Sequence, residues 1–206
     1  MPRRYRRKAM EELKKAAESL EALGYTVKVF ATKEAAADYL DGAIDQTTVG
    51  FGGSVTTQEL GLYDRLAAHN ETHWHWVGGL GEREAAQTAR VYITSANGLA
   101  QTGEIVNIDG AGNRVSATLY GHEKVYFVIG RNKVAPTYEE ALWRARNIAA
   151  PKNAARLGKK TPCAVKGDRC YNCKSPDRIC RGLVVLWGPM MGFDTEIVLV
   201  DEDLGM

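Results

Sequence analysis

Apolar positions at regular spacing predict the first secondary-structure elements of the chain. The first apolar set recurs every three or four positions: Met10, Leu13, Ala17, Leu20 and Leu23. This spacing predicts an amphipathic helix, and Gly24 is a typical helix terminator. The residues that follow, YTVKVF, alternate between apolar and polar types, which predicts a strand.

Strand-like and helix-like segments continue to alternate after this first pair. TTVGFGG (47–53), THWHWV (72–77) and VYITSA (91–96) resemble strands, whereas KEAAADYL (33–40) and EREAAQTA (82–89) have helical patterns. Such alternation is typical of parallel β-α-β units.

The second half of the chain has a different pattern. The stretch at 102–121 predicts a strand, an Asp-Gly turn at Asp109 and a second strand, followed by the strand KVYFVIG (124–130). A long helix, TYEEALWRARNIAA, comes next, and two further strands, LVVLWG and TEIVLV, close the chain. The sequence therefore predicts an α/β sandwich with a mixed, mainly parallel sheet.

Four cysteines are confined to residues 163–180, with the spacing C-x6-C-x2-C-x6-C: Cys163, Cys170, Cys173 and Cys180. The chain start shows no export signal, so we expect a cytoplasmic protein with reduced thiols rather than disulfides. Clustered thiolates are the usual ligands of iron-sulfur clusters and zinc. The spacing favours a [4Fe-4S] cluster over zinc, since zinc ribbons usually carry two separate C-x-x-C pairs, and nearby lysines and arginines would offset the cluster's negative charge. Zinc and metal-free thiols are the alternatives.

Length, composition and charge limit the remaining classes. With 206 residues and 45% hydrophobic content, the chain is expected to form one domain over 1–206, with 163–180 as a cysteine-rich appendage. A net charge of +2 does not demand a nucleic-acid partner, and the basic run RRYRRK at 3–8 is expected to be a solvated helical turn. The longest apolar run, LVVLW at 183–187, is too short to span a membrane.

Three loops that follow predicted strands carry the candidate binding residues, because ligands of open α/β sheets bind at the carboxyl ends of strands. The candidates are Gly52, Gly53, Ser54, Thr56, Ser95, Asn97, Gly98, Arg131 and Lys133. We expect the three loops to converge and to bind a small anionic metabolite through backbone N–H groups, hydroxyls and cations. Ordinary turn chemistry and solvated cations would also explain these residues, and the first loop lacks the lysine of a phosphate-binding P-loop.

Two histidines, His73 and His75, alternate with Trp74 and Trp76. On a strand, both histidines would face one side and both tryptophans the other. A half-exposed strand face is the expected explanation, with metal binding as the alternative.

Several blocks together resemble one known family. GFGGSVTTQELGL, TSANGLAQTGEIVNIDGAGNRV, VIGRNKVAPTYEEALWRARNIAAPKNAARL and TPCAVKGDRCYNCKSPDRIC resemble the LUD-domain family, the lactate-utilisation proteins of the LutC/YkgG type. The resemblance covers nearly the whole chain. It implies a three-layer α/β sandwich similar to the ribose-phosphate isomerase and CoA-transferase fold, and a place in lactate oxidation beside iron-sulfur partners.

The fold relationship bears on catalysis. CoA transferases of the related fold use a glutamate nucleophile in Ser-Glu-Asn-Gly, whereas this chain has Ser95-Ala96-Asn97-Gly98. Alanine cannot be a nucleophile, so CoA transfer by that mechanism is not expected, and Glu104 and Asn97 are left as catalytic candidates. Two hypotheses follow: an iron-sulfur-dependent redox or lyase-type enzyme acting on a small carboxylate, or a non-catalytic binding or assembly protein with a structural metal. A redox protein and a second copy of the chain are the partners left open.

Overall fold

A computed structural model describes residues 3–206, with side chains from Met10 onward. The expected solvation of the basic run at 3–8 therefore lies outside the described side chains. In chain order the strands are β1 (Thr26–Phe30), β2 (Thr48–Phe51), β3 (Glu71–His73), β4 (Val91–Thr94), β5 (Gly98–Ala100), β6 (Ile105–Asp109), β7 (Lys124–Gly130), β8 (Val134–Ala135), β9 (Gly182–Leu186) and β10 (Asp194–Val200).

The helices are α1 (Arg3–Ala22), α2 (Lys33–Ala43), α3 (Val55–Glu59), α4 (Leu62–Ala67), α5 (Glu82–Thr88), α6 (Asn113–Ala117), α7 (Tyr138–Arg144), α8 (Ala150–Arg156) and α9 (Pro162–Lys166). A 3-10 turn at Arg131–Lys133 links β7 to β8, and a π-helical turn at Ala145–Ala149 links α7 to α8.

The main sheet has six strands in the order β1-β10-β7-β4-β2-β3, and every pair is parallel. Its central strands are apolar on both faces, as expected when helices cover both sides. In β7, Phe127 packs toward α1, whereas Val128 packs toward the face covered by α2 and α4. The helices on either side make this a three-layer α/β sandwich, as predicted.

A second sheet of four strands, in the order β8-β5-β6-β9, contains the antiparallel pairs of the fold. Leu99 and Ile105 face the core that α1 shares with the main sheet, while Ala100 and Val106 pack against α7. The main sheet and this smaller sheet together account for the predicted mixture of parallel and antiparallel pairing.

Two predictions about local structure were wrong. The residues after the Asp-Gly turn form α6 rather than a second strand, and the partner of β6 is β9, about 75 residues later in the chain. The strand β3 ends at His73, and residues 74–77 form a turn, so the histidines and tryptophans do not alternate across a strand. Trp74 is buried beneath Trp76 and donates to the carbonyl of Gly52, which favours the turn over an extended chain.

Candidate active-site crevice

A cavity of about 440 Å³ opens at the carboxyl ends of the main-sheet strands. The strands β2 and β4 are neighbours in the main sheet. After β2 the chain continues to β3, at the outer edge of the sheet, whereas after β4 the next main-sheet strand is β7, on the opposite side of β4. The loops after β2 and β4 therefore leave the sheet in opposite directions. This divergence is the topological switch point at which open α/β sheets form ligand crevices.

The predicted convergence of the three loops is confirmed. Lys133 Nζ donates to Thr56 Oγ1 at 2.6 Å and to Ser95 Oγ at 2.8 Å, so one side chain joins all three loops. Six of the predicted binding residues line the cavity: Gly53, Ser54, Thr56, Ser95, Asn97 and Lys133.

The remaining candidates lie outside the cavity wall, each for a packing or pairing reason. A Cβ on Gly52 would lie 2.8 Å from Thr94 Oγ1, and one on Gly98 would lie 2.5 Å from a backbone oxygen of α7, so both glycines permit close packing. The guanidinium of Arg131 pairs with Asp201 and Asp203. The carboxylate of Glu104 accepts a hydrogen bond from Thr102, beside the smaller sheet.

Asn97 is a cavity residue whose side chain is already used structurally. Its Oδ1 accepts from the backbone N–H of Ile108 at 2.7 Å and from Arg114 at 3.1 Å. Ala96, at the position of the CoA-transferase nucleophile, is buried in the cavity wall and carries no reactive group.

Arg114 organises the crevice, although the sequence pattern gave no indication of it. Its guanidinium donates to the carbonyls of Ser95 and Ile108 and to Asn97, and its Nε lies 3.4 Å from Asp109 Oδ2. Burial lowers the pKa of Arg114, while the carboxylate of Asp109 opposes that effect. Because 102–121 was expected to form a hairpin, Arg114 was not expected to point back toward the loop after β4.

Arg144 fixes the same loop from the opposite side. This arginine on α7 is 8% exposed and donates to the backbone carbonyls of Asn132 and Asn97. Burial lowers its pKa to about 10. The loops after β4 and β7 are thereby held by one buried cation.

Asp109 behaves as the sequence indicated. Its Oδ1 accepts from the N–H groups of Ala111 and Gly112, both at 3.1 Å, which is ordinary Asp-Gly turn chemistry. Its Oδ2 has no hydrogen-bond partner among the described residues and forms an ion pair with Arg114.

One wall of the cavity carries unsatisfied polar atoms and an aromatic surface. His75 Nδ1 and Arg83 Nε are buried there without hydrogen-bond partners among the described residues. Burial, and then the nearby Arg83, lower the pKa of His75. Arg156 lies over the ring of Trp76, 4.7 Å from its centroid. Buried polar atoms normally have partners, so these groups indicate a wall suited to a polar ligand.

Lys133 has an unusual environment for a lysine. Its side chain is only 4% exposed, and both of its described hydrogen-bond partners are neutral hydroxyls. Burial, followed by the nearby Arg144 and Arg114, lowers its pKa to about 7, and Glu59 opposes this only in part. A large fraction of the amine is therefore neutral at physiological pH.

The cysteine-rich segment borders the crevice. After α9 the chain has little regular structure until β9, and Arg178, Ile179, Cys180 and Arg181 line the cavity. The backbone oxygen of Ile179 packs so closely on Gly110 that a Cβ there would lie 2.7 Å from it. The predicted appendage is thus one wall of the site.

All four cysteines are free thiols of intermediate exposure. The N–H of Asn172 donates to Cys170 Sγ at 3.3 Å, and Asn172 adopts a left-handed conformation with φ 45°. Hydrogen bonding to Cys180, and the nearby Cys173 and Cys170, raise the pKa of the Arg178 guanidinium. Arg178 also donates to the backbone carbonyls of Cys173 and Cys180, so this cation lies beside two of the four cysteines.

The chemistry of this donor set fits a thiolate-ligated centre, since four free thiols share one segment and one of them already accepts an N–H bond. The four thiols are not gathered at one point: among the described residues, no three histidine, cysteine, aspartate or glutamate side chains form a group that could hold a metal ion. The predicted centre therefore stays a prediction.

No helix in the described part of the chain is long and apolar enough to cross a membrane.

Comparison with known proteins gives a consistent assignment. The model of the LUD domain family matches residues 13–200. Among solved structures, a DUF162 family protein from Deinococcus radiodurans is similar in fold, with a TM-score of 0.56 and 13% identity over 93% of this chain and 98% of that chain. A comparison with curated proteins found no match. Because the family match spans most of its length, the chain belongs to the LUD domain family.

Proposed function

We propose that this LUD-domain protein binds a small carboxylate metabolite in the crevice and that the adjoining cysteine segment holds an iron-sulfur cluster for redox chemistry on it. The observation that carries the proposal is the composition of the cavity wall. Its cationic side chains are Arg83, Arg114, Arg156, Arg178 and Arg181, and Asp109 is the single acidic side chain among the described lining residues.

The balance of charge favours an anionic ligand. Arg114 is committed to the loops and to Asp109, but the buried Nε of Arg83 has no partner among the described residues. Arg156 lies over Trp76 beside the cavity, with its Nε and one terminal nitrogen donating to Asn153. Guanidinium groups bind carboxylates through paired N–H donors. A volume of about 440 Å³ is within the usual range of small-molecule sites.

Cys163, Cys170, Cys173 and Cys180 would hold the cluster. A bound cluster would supply one-electron transfer, and a redox protein would then be needed to exchange electrons with it. The residues of the crevice perform the remaining tasks: the arginines bind and orient the carboxylate, and Trp76 limits the access of water. Membership of the LUD family makes lactate and pyruvate suitable first ligands to test.

A second candidate function is that of a non-catalytic binding or assembly protein, in which zinc or an iron-sulfur cluster only stabilises the cysteine-rich segment 163–180. Such a protein could act as a single chain or as a homodimer. The observation that favours it is the coil between α9 and β9, which has few apolar residues and would gain order from a metal. Metal content separates the two candidates, because stoichiometric zinc without iron would support this one.

The anion site is tested by isothermal titration of the purified protein with lactate, pyruvate and the neutral analogue lactamide. We expect the two carboxylates to bind and lactamide to bind at least about tenfold more weakly, since a charge-assisted hydrogen bond contributes about 1.5–3 kcal/mol. Arg83→Met should weaken carboxylate binding by a similar factor. Arg90→Met is the matched control, because Arg90 is an exposed arginine paired with Glu123 outside the cavity.

Equal binding of lactamide, or an equal effect of both arginine variants, would contradict the anion site. The redox part is tested on protein prepared anaerobically, by iron and acid-labile sulfide analysis with EPR. Iron and sulfide that are lost together in Cys173→Ser are the expected result, and protein that binds no iron after cluster reconstitution would contradict it.

A further inference from the structure

We propose that the Lys133 amine is a nucleophile that forms a Schiff base with the carbonyl carbon of a small 2-oxo acid bound in the crevice. This inference rests on the proposed carboxylate site and assigns it a narrower substrate class. It also gives Lys133 a different role from the anion-binding cation that the sequence indicated.

The geometry leaves the amine lone pair available. A neutral amine has two N–H bonds and one lone pair, and Thr56 Oγ1 and Ser95 Oγ account for both N–H bonds at 2.6 and 2.8 Å. Because Lys133 lines the cavity, the lone pair can face bound ligand. Gly205, with φ +62°, packs beside the amine, and a Cβ there would lie 2.5 Å from Thr56 Oγ1 and 3.3 Å from Lys133 Nζ.

The charges around the amine favour its neutral form. The guanidinium groups of Arg144 and Arg114 repel a positive charge on Lys133, and among the groups acting on it Glu59 alone favours one. Glu59 is itself engaged, because its carboxylate accepts from the N–H of Gly205 at 2.8 Å. Desolvation beside other cations is a general way in which proteins activate a lysine nucleophile.

The reaction is a condensation without redox change. The amine lone pair forms the C–N bond as the carbonyl π bond breaks, and the oxygen takes a proton to give a carbinolamine. The carbinolamine then loses its hydroxyl as water after a second protonation, which leaves a protonated imine. One proton comes from the amine and one from solvent, and the hydroxyls of Ser95 and Thr56 are placed to relay them. Arg83 or Arg156 would hold the substrate carboxylate.

The test is reductive trapping. The purified full-length chain is incubated with pyruvate and sodium cyanoborohydride, which reduces the protonated imine but not the free ketone, and the adduct is located by peptide mass spectrometry. We expect one reduced adduct per chain, on Lys133, and none on exposed lysines such as Lys152 and Lys160. Lactate has a hydroxyl in place of the keto group of pyruvate, so it cannot form the imine and should compete with trapping. Ser95→Ala removes a hydroxyl that contacts the Lys133 amine and should slow trapping by about tenfold or more.

The rate of trapping should rise through pH 7, following the neutral amine, rather than only above pH 9. Adducts spread over exposed lysines, or no adduct while lactate still binds, would overturn the inference and leave the carboxylate site standing. If neither lactate nor pyruvate binds, both proposals fail.

Discussion

Replacing Lys133 with methionine should change the pH dependence of stability in a defined direction. Methionine is unbranched, apolar and of similar length, so it can occupy the same space without carrying a charge. The folded chain lowers the pKa of Lys133 from 10.5 to about 7, mainly through burial. The unfolded chain restores the ordinary value.

The sign follows from proton binding. Between about pH 7 and pH 10 the unfolded chain holds a proton on Lys133 that the folded chain lacks, so the free energy of unfolding of the wild type rises with pH. Below pH 7 both states are protonated, and the cost of burying the charge is fully present. At about 1.4 kcal/mol per pKa unit, this cost is on the order of 5 kcal/mol, and about 2 kcal/mol should be regained between pH 7 and pH 9.

Urea denaturation of both proteins from pH 6 to pH 9 measures this effect. The wild-type stability minus that of Lys133→Met should be constant below pH 7 and should rise by about 2 kcal/mol up to pH 9. The exposed Lys152→Met on α8 is the control and should show no such rise, because its amine contacts water in both states. A flat difference for Lys133→Met across the whole range would refute the assignment of a neutral buried amine.

Two further predictions concern packing and the cysteine segment. Gly98→Ala should destabilise the fold by about 1–3 kcal/mol, because its Cβ would lie 2.5 Å from the Ala141 oxygen. The control Gly42→Ala, which has open space in α2, should be neutral or stabilising by up to about 1 kcal/mol. Equal denaturation midpoints for the two variants would contradict the close contact at Gly98. Cys173→Ser should lose the bound metal and lower hydrogen-exchange protection over residues 163–180, while β4 and β7 stay protected. Unchanged protection of residues 163–180 after metal loss would show that ordinary packing orders this segment.

The parts of the fold that the sequence could predict are those governed by local periodicity. The apolar run of β7 and the helical spacing of Leu13 and Leu20 on α1 are found in the structure as predicted. Such patterns arise because each element buries one stripe or both faces against its neighbours.

The parts that failed depend on contacts distant in the chain. Residues 113–117 form α6 rather than a hairpin strand, because β6 pairs with β9 instead of with the next segment. The turn at Trp76 depends on stacking with Trp74 and on the Gly52 carbonyl, neither of which is visible in the alternation of THWHWV.

The candidate site was predictable in position but not in composition. Because ligands of open α/β sheets bind at the carboxyl ends of strands, the sequence predicted that the loops containing Ser54, Ser95 and Lys133 lie together, and the structure places all three residues at one cavity. Arg83 and Arg156 come from helices beside the crevice, and an arginine on a helix surface carries no local signal that it faces a cavity. Lys133 was expected to be a charged anion binder, and only its burial indicates otherwise.

A crystal structure of the protein grown with saturating lactate tests the central claim most directly. The account predicts lactate in the crevice between the loops after β2 and β4, with its carboxylate within hydrogen-bond distance of Arg83 or Arg156. Lactate bound only elsewhere on the protein, or an empty crevice at a saturating concentration, would contradict it.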